Sequence, residues 1–172
     1  MKTITVFTPA YNRAHTLRRA FNSLKAQTCK DFEWLIIDDG STDRTSELVE
    51  RLQKEADFPI RYYWKENGGR HTAVNYSYQF LQTKYVVTLD SDDELTPNAV
   101  ELMIRTWNSI PKERYDHIWC VSGREMDANT LQLVGEPYPE DINEKSGKAQ
   151  RKILLKYEGE KHCCRRVDIH IR

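Results

Sequence analysis

Two aspartates separated by one serine follow a run of apolar residues, and this pattern predicts a metal site. Asp90, Ser91 and Asp92 come directly after Tyr85–Leu89, a segment typical of a buried strand. Residues two apart on an extended chain point to the same side, so we expect the carboxylates of Asp90 and Asp92 to converge. Such oxygens suit Mg²⁺ or Mn²⁺, with substrate phosphates completing the shell. The alternative, acids that only approach a helix, fits Asp93-Glu94 better.

A second acidic segment, 38–43, also follows a predicted strand. One carboxylate here can accept a hydrogen bond from the ring N–H of a nucleobase, which gives orientation as well as affinity. The acids nearer the following helix would also meet the positive end of its dipole. A capped turn with a tight bend at Gly40 is compatible with ligand binding.

Two more loops carry groups that could meet a nucleotide. The segment 9–13 contains Tyr11, whose ring can stack on a base, although an isolated loop tyrosine is more often simply packed. Gly68-Gly69-Arg70-His71 offers backbone N–H groups and a cation in front of a predicted helix, where phosphate can approach closely. Gly-Gly alone is a weak signal.

The elements that must position these loops alternate between strand and helix. The predicted strands are Thr3–Thr8, which Pro9 ends, Trp34–Ile37, Pro59–Trp64 near a sheet edge, and Tyr85–Leu89. This order predicts an α/β fold with a mainly parallel central sheet and helices on both faces. Right-handed crossovers then place the strand-to-helix loops along one edge, where ligands bind in such sheets.

Apolar residues at helical spacing predict the packed faces of the helices between these strands. The faces comprise Leu17, Ala20, Phe21 and Leu24; Leu48, Val49 and Leu52; Ala73, Val74, Ser77, Phe80 and Leu81; and Ala99, Leu102, Met103 and Trp107. We expect Thr42 or Asp43 to cap the second helix, and Thr96 to cap the fourth with Pro97 at its first position. Beyond Pro111 the pattern weakens to a strand at 116–122 and a hairpin at 124–135.

The composition limits the classes of partner. Lys plus Arg and Asp plus Glu both number 26 in 172 residues, so no overall field favours nucleic acid. Neither a secretory signal nor a stretch long enough to span a membrane is recognisable, which predicts a cytoplasmic location; attachment to the inner face of the membrane stays open. The four cysteines do not suggest a disulfide framework, and 162–164 with His170 fits no common zinc pattern.

Phosphate-binding signatures of other classes are missing from the sequence. Neither the G-x-x-x-x-G-K-[ST] loop nor G-x-G-x-x-G occurs, which disfavours P-loop ATPases and ordinary dinucleotide-binding proteins. From the residues alone, the prediction is a metal-dependent site for a nucleoside diphosphate.

Four segments together resemble glycosyltransferase family 2, whose members have the Rossmann-like GT-A fold. They read TVFTPAYNR, DFEWLIIDDGSTDRT, ENGGRHTAVN and YVVTLDSDDELTPNAV, in family order and spacing over residues 3 to about 104. A weaker similarity continues through Gly159-Glu160-Lys161 and Arg166-Val167-Asp168. The resemblance implies an inverting transferase with residues 1–122 as the core that binds the nucleotide-sugar donor. Residues 123–172 would be an incomplete acceptor-side region of the same domain.

The resemblance also implies roles for individual residues. Tyr11 would pack on the base, Asp39 would bind a ring nitrogen, and Arg70 would lie near the nucleotide. Asp90 and Asp92 would form the D-x-D element, with Asp92 the direct ligand of Mg²⁺ or Mn²⁺. Pro9 and Ser91 complete the expected donor-binding set. The donor would be a UDP-sugar, with GDP left open, and the acceptor a glycan or lipid-linked molecule; a homodimer also stays open.

No catalytic base is assigned, and this leaves alternatives to an active transferase. In the family the acidic base lies further along, in the acceptor half, and the late aspartates Asp141 and Asp168 have no supporting motif. One alternative is therefore a nucleotide-sugar-binding module without turnover. The other is a sugar nucleotidyltransferase, but such enzymes carry a Gly-rich loop with a basic residue after the first strand, and TPAYNR is not such a loop.

Overall fold

The computed structural model describes residues 1–114, 120–122, 130 and 163–166. Its strands are β1 (Ile4–Ala10), β2 (Phe32–Asp39), β3 (Ile60–Lys65), β4 (Tyr85–Thr88), β5 (Cys120–Ser122) and β6 (Cys163–Arg166). Its helices are α1 (Leu17–Lys25), α2 (Thr45–Glu55), α3 (Arg70–Ser77) and α4 (Ala99–Ser109), with short 3₁₀ helices at Tyr78–Phe80 and Lys112–Arg114. The predicted hairpin at 124–135 and the late aspartates Asp141 and Asp168 lie outside the described residues, apart from Thr130.

The strands form one sheet in the order β3-β2-β1-β4-β6-β5. Strands β1 to β4 are parallel to one another, whereas β6 pairs antiparallel with β4 and with β5. The prediction of an α/β fold with a mainly parallel sheet is therefore confirmed. Strand β3 lies at an edge, as its polar composition indicated. Residues on both sides of position 122 contribute strands to this sheet.

Alternate residues along each strand enter two separate cores, one on each face of the sheet. On one face, Trp34 and Ile36 of β2 pack with buried residues of α1, α2 and α4. On the other face, Leu35 and Ile37 pack with Ala73 of α3. A strand that is buried on both sides is continuously apolar, which is why β2 shows no alternation of polar and apolar residues. Helices on both faces are confirmed.

The first helix matches its predicted face, and the fourth does not. All four predicted α1 residues, Leu17, Ala20, Phe21 and Leu24, are buried. In α4 the buried positions are Val100 and Trp107, with Met103 and Ile104 half-buried, and Leu102 is exposed. The predicted stripe was therefore wrong in part. The ring of Trp107 stacks on Tyr85 of β4 with centroids 5.0 Å apart, which fixes the rotation of α4 on the sheet.

The predicted ends of β1 and α4 were also wrong. Pro9 lies inside β1: pairing with β4 stops at Phe7, but pairing with β2 continues to Ala10. Proline cannot donate a hydrogen bond to a neighbouring strand. It is tolerated at this position because β4 no longer pairs with that side of β1. The cap positions of α2 and α4 are Arg44 and Asn98, so Pro97 precedes α4 in a turn. At α2, the predicted cap residue Asp43 does accept a hydrogen bond from the backbone N–H of Thr45, the first residue of the helix. Neither cap residue makes a capping bond through its side chain.

Within the described part of the chain, none of the helices has the length and apolar character needed to cross a membrane.

Candidate functional site

The loops singled out in the sequence all follow the carboxyl ends of strands β1 to β4. Because these strands are parallel, their carboxyl ends share one edge of the sheet. Tyr11 is the first residue after β1, and 49% of its surface is exposed. Asp39 is the last residue of β2, and Arg70 begins α3. Asp90 follows β4 after a single intervening residue.

The loop that carries Tyr11 is tied to the loop after β2 by Asn12. The side-chain oxygen of Asn12 accepts hydrogen bonds from the backbone N–H of Thr42 at 2.8 Å and of Asp43 at 3.2 Å. The backbone N–H of Asn12 donates to Oγ of Ser41 at 2.8 Å. Asn12 has a φ of 55°, a left-handed conformation in which asparagine is enriched among non-glycine residues. Sequence reasoning missed Asn12, although an asparagine two residues after a strand end was the available signal.

Asp43 makes a second connection between the same two loops. Its carboxylate accepts hydrogen bonds from the backbone N–H of Ala14 at 3.1 Å and from both the backbone N–H and the hydroxyl of Thr45. The backbone N–H of Arg13 in turn donates to the Thr45 hydroxyl at 3.0 Å. Burial alone would raise the pKa of Asp43, but the hydrogen bonds from Thr45 and Ala14 outweigh it and lower the pKa. Asp43 therefore holds the loop as a carboxylate.

The neighbouring acids at the end of β2 have different surroundings. Asp38 is fully buried, and its two oxygens accept from the backbone N–H of Ser41 and the hydroxyl of Tyr62. Burial, together with the hydrogen bond to Asp38, raises the pKa of Tyr62. Asp38 therefore has a structural role within this edge.

Asp39 anchors the loop between β3 and α3. Its Oδ1 accepts from Nζ of Lys65 at 2.5 Å and from the N–H of Gly68 at 3.1 Å, and its Oδ2 accepts from the N–H of Gly69 at 2.6 Å. Burial alone would raise the pKa of Asp39, but Lys65 and the two glycine N–H groups outweigh it and lower the pKa. Asp39, which was predicted to bind the base, is therefore a carboxylate that already accepts hydrogen bonds from other parts of the chain.

Glycine is required at position 40 because the loop between β3 and α3 passes close to the end of β2 there. A Cβ added to Gly40 would lie 2.7 Å from the backbone nitrogen of Asn67, and Gly40 has a φ of 82°. The side-chain amide of Asn67 donates to the backbone oxygen of Asp39 at 2.8 Å. The sequence indicated a bend at Gly40, but the close approach of a loop 27 positions away in the chain has no local signature.

The start of the segment after β4 is fixed by buried hydrogen bonds. The hydroxyl of Thr8 donates to the backbone oxygen of Leu89 at 2.7 Å and accepts from Nε1 of Trp34 at 2.8 Å. These bonds connect β1 and β2 to the residue that precedes Asp90. Ser91 is buried at this edge, and Pro9 is half-buried within β1.

The reason given for convergence of Asp90 and Asp92 was wrong, because this segment is not extended. Strand β4 ends at Thr88, and the backbone N–H of Asp93 donates to the carbonyl of Asp90 at 3.1 Å, closing a turn. The two side chains each face an arginine: Oδ1 of Asp90 lies 2.7 Å from Nη2 of Arg70, and Oδ2 of Asp92 lies 3.8 Å from Nη1 of Arg13.

The chemistry of these side chains fits a divalent cation that is shared with a ligand. Among the described residues, no three His, Cys, Asp or Glu side chains are grouped as a protein-only metal site would require. Asp92 is about half exposed and only loosely paired, and Asp90 uses one oxygen for Arg70, so carboxylate oxygens remain available. Two carboxylates completed by phosphate oxygens and water are a common arrangement for Mg²⁺.

Comparisons with known proteins agree with this fold. Residues 5–167 match the family Glycosyl transferase family 2. Over 102 residues the chain is 39% identical to the chondroitin synthase of Pasteurella multocida, an alignment that covers 59% of this chain and 10% of that protein. The chain spans less than half the length of the curated relatives it matches.

Two solved structures are similar in fold. The mannosyltransferase PcManGT from Pyrobaculum calidifontis has a TM-score of 0.58 and 24% identity, covering 69% of this chain and 35% of that one. TarS from S. aureus has a TM-score of 0.63 and 23% identity, covering 97% of this chain and 28% of that one.

The family assignment follows from the sequence match and the architecture together. The match runs through nearly the whole chain, and the parallel sheet with polar loops at its carboxyl edge is the architecture that the resemblance implied. The chain belongs to glycosyltransferase family 2.

Proposed function

We propose that this chain is the donor-binding part of an enzyme that transfers a sugar from a nucleotide sugar to a glycan or lipid-linked acceptor. The observation that carries this proposal is the joining of four loops at one sheet edge. Asn12 connects the first two loops, Asp39 holds the third, and Arg70 pairs with Asp90 in the fourth. These contacts bring groups suited to a nucleotide and a cation to one edge of the sheet. They are the ring of Tyr11, the guanidinium groups of Arg13 and Arg70, and the carboxylates of Asp39, Asp90 and Asp92.

Solved structures of similar fold support the choice of ligand. The structure of PcManGT is a complex with GDP-Man and Mn²⁺, and those of TarS residues 1–349 include complexes with UDP and with UDP-GlcNAc. These ligands belong to those proteins. For this chain we propose a UDP-sugar as donor.

The base and phosphates would be bound by different loops. The exposed ring of Tyr11 is available to stack on the base, and Asp39 is available to accept a ring N–H. Arg13 and Arg70 are cations at the same edge, and turning from their aspartates would let them contact the diphosphate. Asp92 and Asp90 would hold Mg²⁺ or Mn²⁺, which as a Lewis acid would stabilise the charge that develops on the leaving diphosphate.

The transfer itself replaces one bond of the anomeric carbon by another. An acceptor hydroxyl oxygen attacks this carbon from the face opposite the diphosphate, the bond to the phosphate oxygen breaks, and a base takes the hydroxyl proton. We assign this base to no residue of the chain. Attachment to the inner face of a membrane and formation of a homodimer remain predictions.

Calorimetric titration tests the donor site. UDP and GDP are titrated into wild type with and without Mn²⁺, and the same is done with Asp92→Asn. The matched control is Asp57→Asn, because Asp57 lies before β3 at the opposite sheet edge in an ion pair with Lys30. Mn²⁺ is expected to strengthen UDP binding in wild type and the control. Loss of a direct ligand should lower metal affinity by at least the roughly 10–100-fold that outer-shell changes cost.

Each other outcome has a distinct meaning. Equal Mn²⁺-dependent binding by Asp92→Asn would show that the metal assignment is wrong, and failure of wild type to bind either nucleotide would refute the donor site. Binding of UDP without hydrolysis or transfer from a UDP-sugar would favour the binding module over the enzyme.

A further inference from the structure

The hydrogen-bonding capacity of Asp39 is almost used up by the chain itself. A carboxylate oxygen has about two acceptor positions. Oδ1 accepts from Lys65 at 2.5 Å and from Gly68 at 3.1 Å, with the hydroxyl of Thr72 also 3.3 Å away. Within the described residues, Oδ2 accepts one hydrogen bond, from the N–H of Gly69 at 2.6 Å. One acceptor position therefore remains, and it belongs to Oδ2.

Lys65 is held firmly over Oδ1. Besides Asp39, its ammonium group donates to the backbone oxygen of Glu66 and to the hydroxyl of Thr72, so its three N–H groups all have acceptors. The Lys65 side chain is mostly buried, and the Asp39 side chain is only 5% exposed. The loop beside them is close-packed, since a Cβ on Gly68 would lie 2.8 Å from the Thr72 hydroxyl and 3.3 Å from Nζ of Lys65.

Nucleobases differ in how many N–H groups they would present to such an acid. Uracil has one ring N–H between two carbonyl groups. Guanine has a ring N–H beside an exocyclic amino group, and this pair suits a carboxylate with both oxygens open. At Asp39 the ring N–H of guanine could bond to Oδ2, but its amino group would meet an oxygen that Lys65 and Gly68 already fill. A buried donor without an acceptor is costly.

We infer that Lys65 is a specificity-determining residue: by covering Oδ1 of Asp39, it restricts the donor site to bases that present a single ring N–H, and so favours uracil over guanine. This inference rests on the proposed function, because it assumes that the base reaches Asp39. It adds the reason for choosing between UDP and GDP, which the carboxylate alone does not provide.

The test compares two purine nucleotides that differ only in the amino group. Inosine diphosphate has the ring N–H of guanine but lacks the exocyclic amino group. Each nucleotide is titrated as a competitor against UDP bound to the wild-type protein in Mn²⁺. We expect the affinity for inosine diphosphate to be at least about fivefold higher than that for GDP, since removing the amino group removes an unsatisfied donor. The size of the base is the same in both.

Lys65→Met provides the second arm, with Lys54→Met as the matched control. Removing Lys65 opens a position on Oδ1, so the preference for inosine diphosphate over GDP should shrink or reverse. Lys54, exposed in the last turn of α2, should keep the wild-type preference. Thermal unfolding of each variant checks that it is folded, and the wild-type comparison can overturn the inference even if Lys65→Met does not fold.

Three results would overturn the inference. Equal or tighter binding of GDP relative to inosine diphosphate by wild type would mean that Asp39 accepts two donors. Failure of both purines to displace UDP would mean that base size selects the nucleotide. An unchanged preference in folded Lys65→Met would remove Lys65 from the selection. Absence of UDP binding would instead refute the proposed function.

Discussion

At the scale of single residues, the same residue type has different tasks at neighbouring positions. Asp38 is buried with both oxygens used for structure, whereas Asp39 keeps one acceptor position beside a loop that it also anchors. Asp92 is about half exposed and only loosely paired with Arg13. What separates these acids is the set of donors around each carboxylate, and most of those donors come from distant parts of the chain.

Tyr11 allows a direct test of base stacking. Its ring is about half exposed directly after β1, so truncation should leave the core intact. Tyr11→Ala is expected to weaken UDP binding by roughly five- to 150-fold, the loss typical of a base stacked on an aromatic ring. Calorimetry measures the affinity, and thermal unfolding measures whether stability is retained.

The control for this change is Tyr11→Phe, which keeps the ring and should keep most of the affinity. If Tyr11→Ala binds UDP as tightly as wild type, the ring does not contact the base.

The residue types at the site could be predicted from the sequence, but their surroundings could not. Acids and an aromatic residue after strands are visible in the printed chain, and the structure places Tyr11, Asp39 and Asp90 at one edge. The left-handed conformation of Asn12 is accompanied by hydrogen bonds to the loop after β2. Sequence periodicity describes regular elements and does not register such contacts.

At the scale of elements, prediction succeeded where the apolar residues of an element all lie on the one face that packs against the core. Helix α1 matched its predicted face because a 3.6-residue period determines which side is buried. Helix α4 offers apolar residues at too many positions, and its rotation is decided by the stack of Trp107 on Tyr85. Pro9 was misread as a strand end, because one-sided pairing of β1 is a property of the sheet.

Alanine substitutions at two glycines with positive φ distinguish the cost of backbone strain from the cost of steric contact. Gly40 and Gly69 have φ values of 82° and 92°, so alanine at either position should cost about 1–3 kcal/mol of unfolding free energy. Alanine at Gly40 would also clash with the backbone of Asn67, whereas at Gly69 the nearest atoms are 3.3 Å away in the side chain of His71. Gly40→Ala should therefore be the more destabilising, as measured by urea unfolding.

Equal losses for the two variants would contradict the close approach of the loop to β2. A larger loss for Gly69→Ala would show that conformation, rather than contact, dominates at this edge.

At the scale of the whole molecule, the alternation of strand and helix was sufficient to predict the fold. Continuous apolar strands indicated burial on both faces, and the structure has a separate core on each side of the sheet. The antiparallel position of β6 was not predicted, because Cys163–Arg166 is a short polar segment whose partner is far away in sequence.

Acid unfolding should depend on the two aspartates that hold the loops. Asp39 and Asp43 have pKa values that are lowered in the folded protein. Their stabilising contribution is therefore present above the ordinary aspartate pKa of about 3.9 and is lost as pH falls through the lower folded pKa. The unfolding free energy should thus fall below about pH 4, and less steeply in Asp43→Asn or Asp39→Asn.

Urea unfolding between neutral pH and pH 2 measures this dependence for wild type, both single variants and the double variant. The double variant should retain the least pH dependence. A slope that stays the same as in wild type would mean that neither carboxylate is stabilised by the fold.

The place of β6 has a consequence for synthesis on the ribosome. Strand β4 lies between β1 and β6, and its outer side pairs with residues made much later in the chain. Until Cys163–Arg166 has been translated, the backbone groups on that side of β4 have no β6 to pair with, in the manner of an open sheet edge. We expect this nascent intermediate to be the species most prone to self-association and most in need of a chaperone.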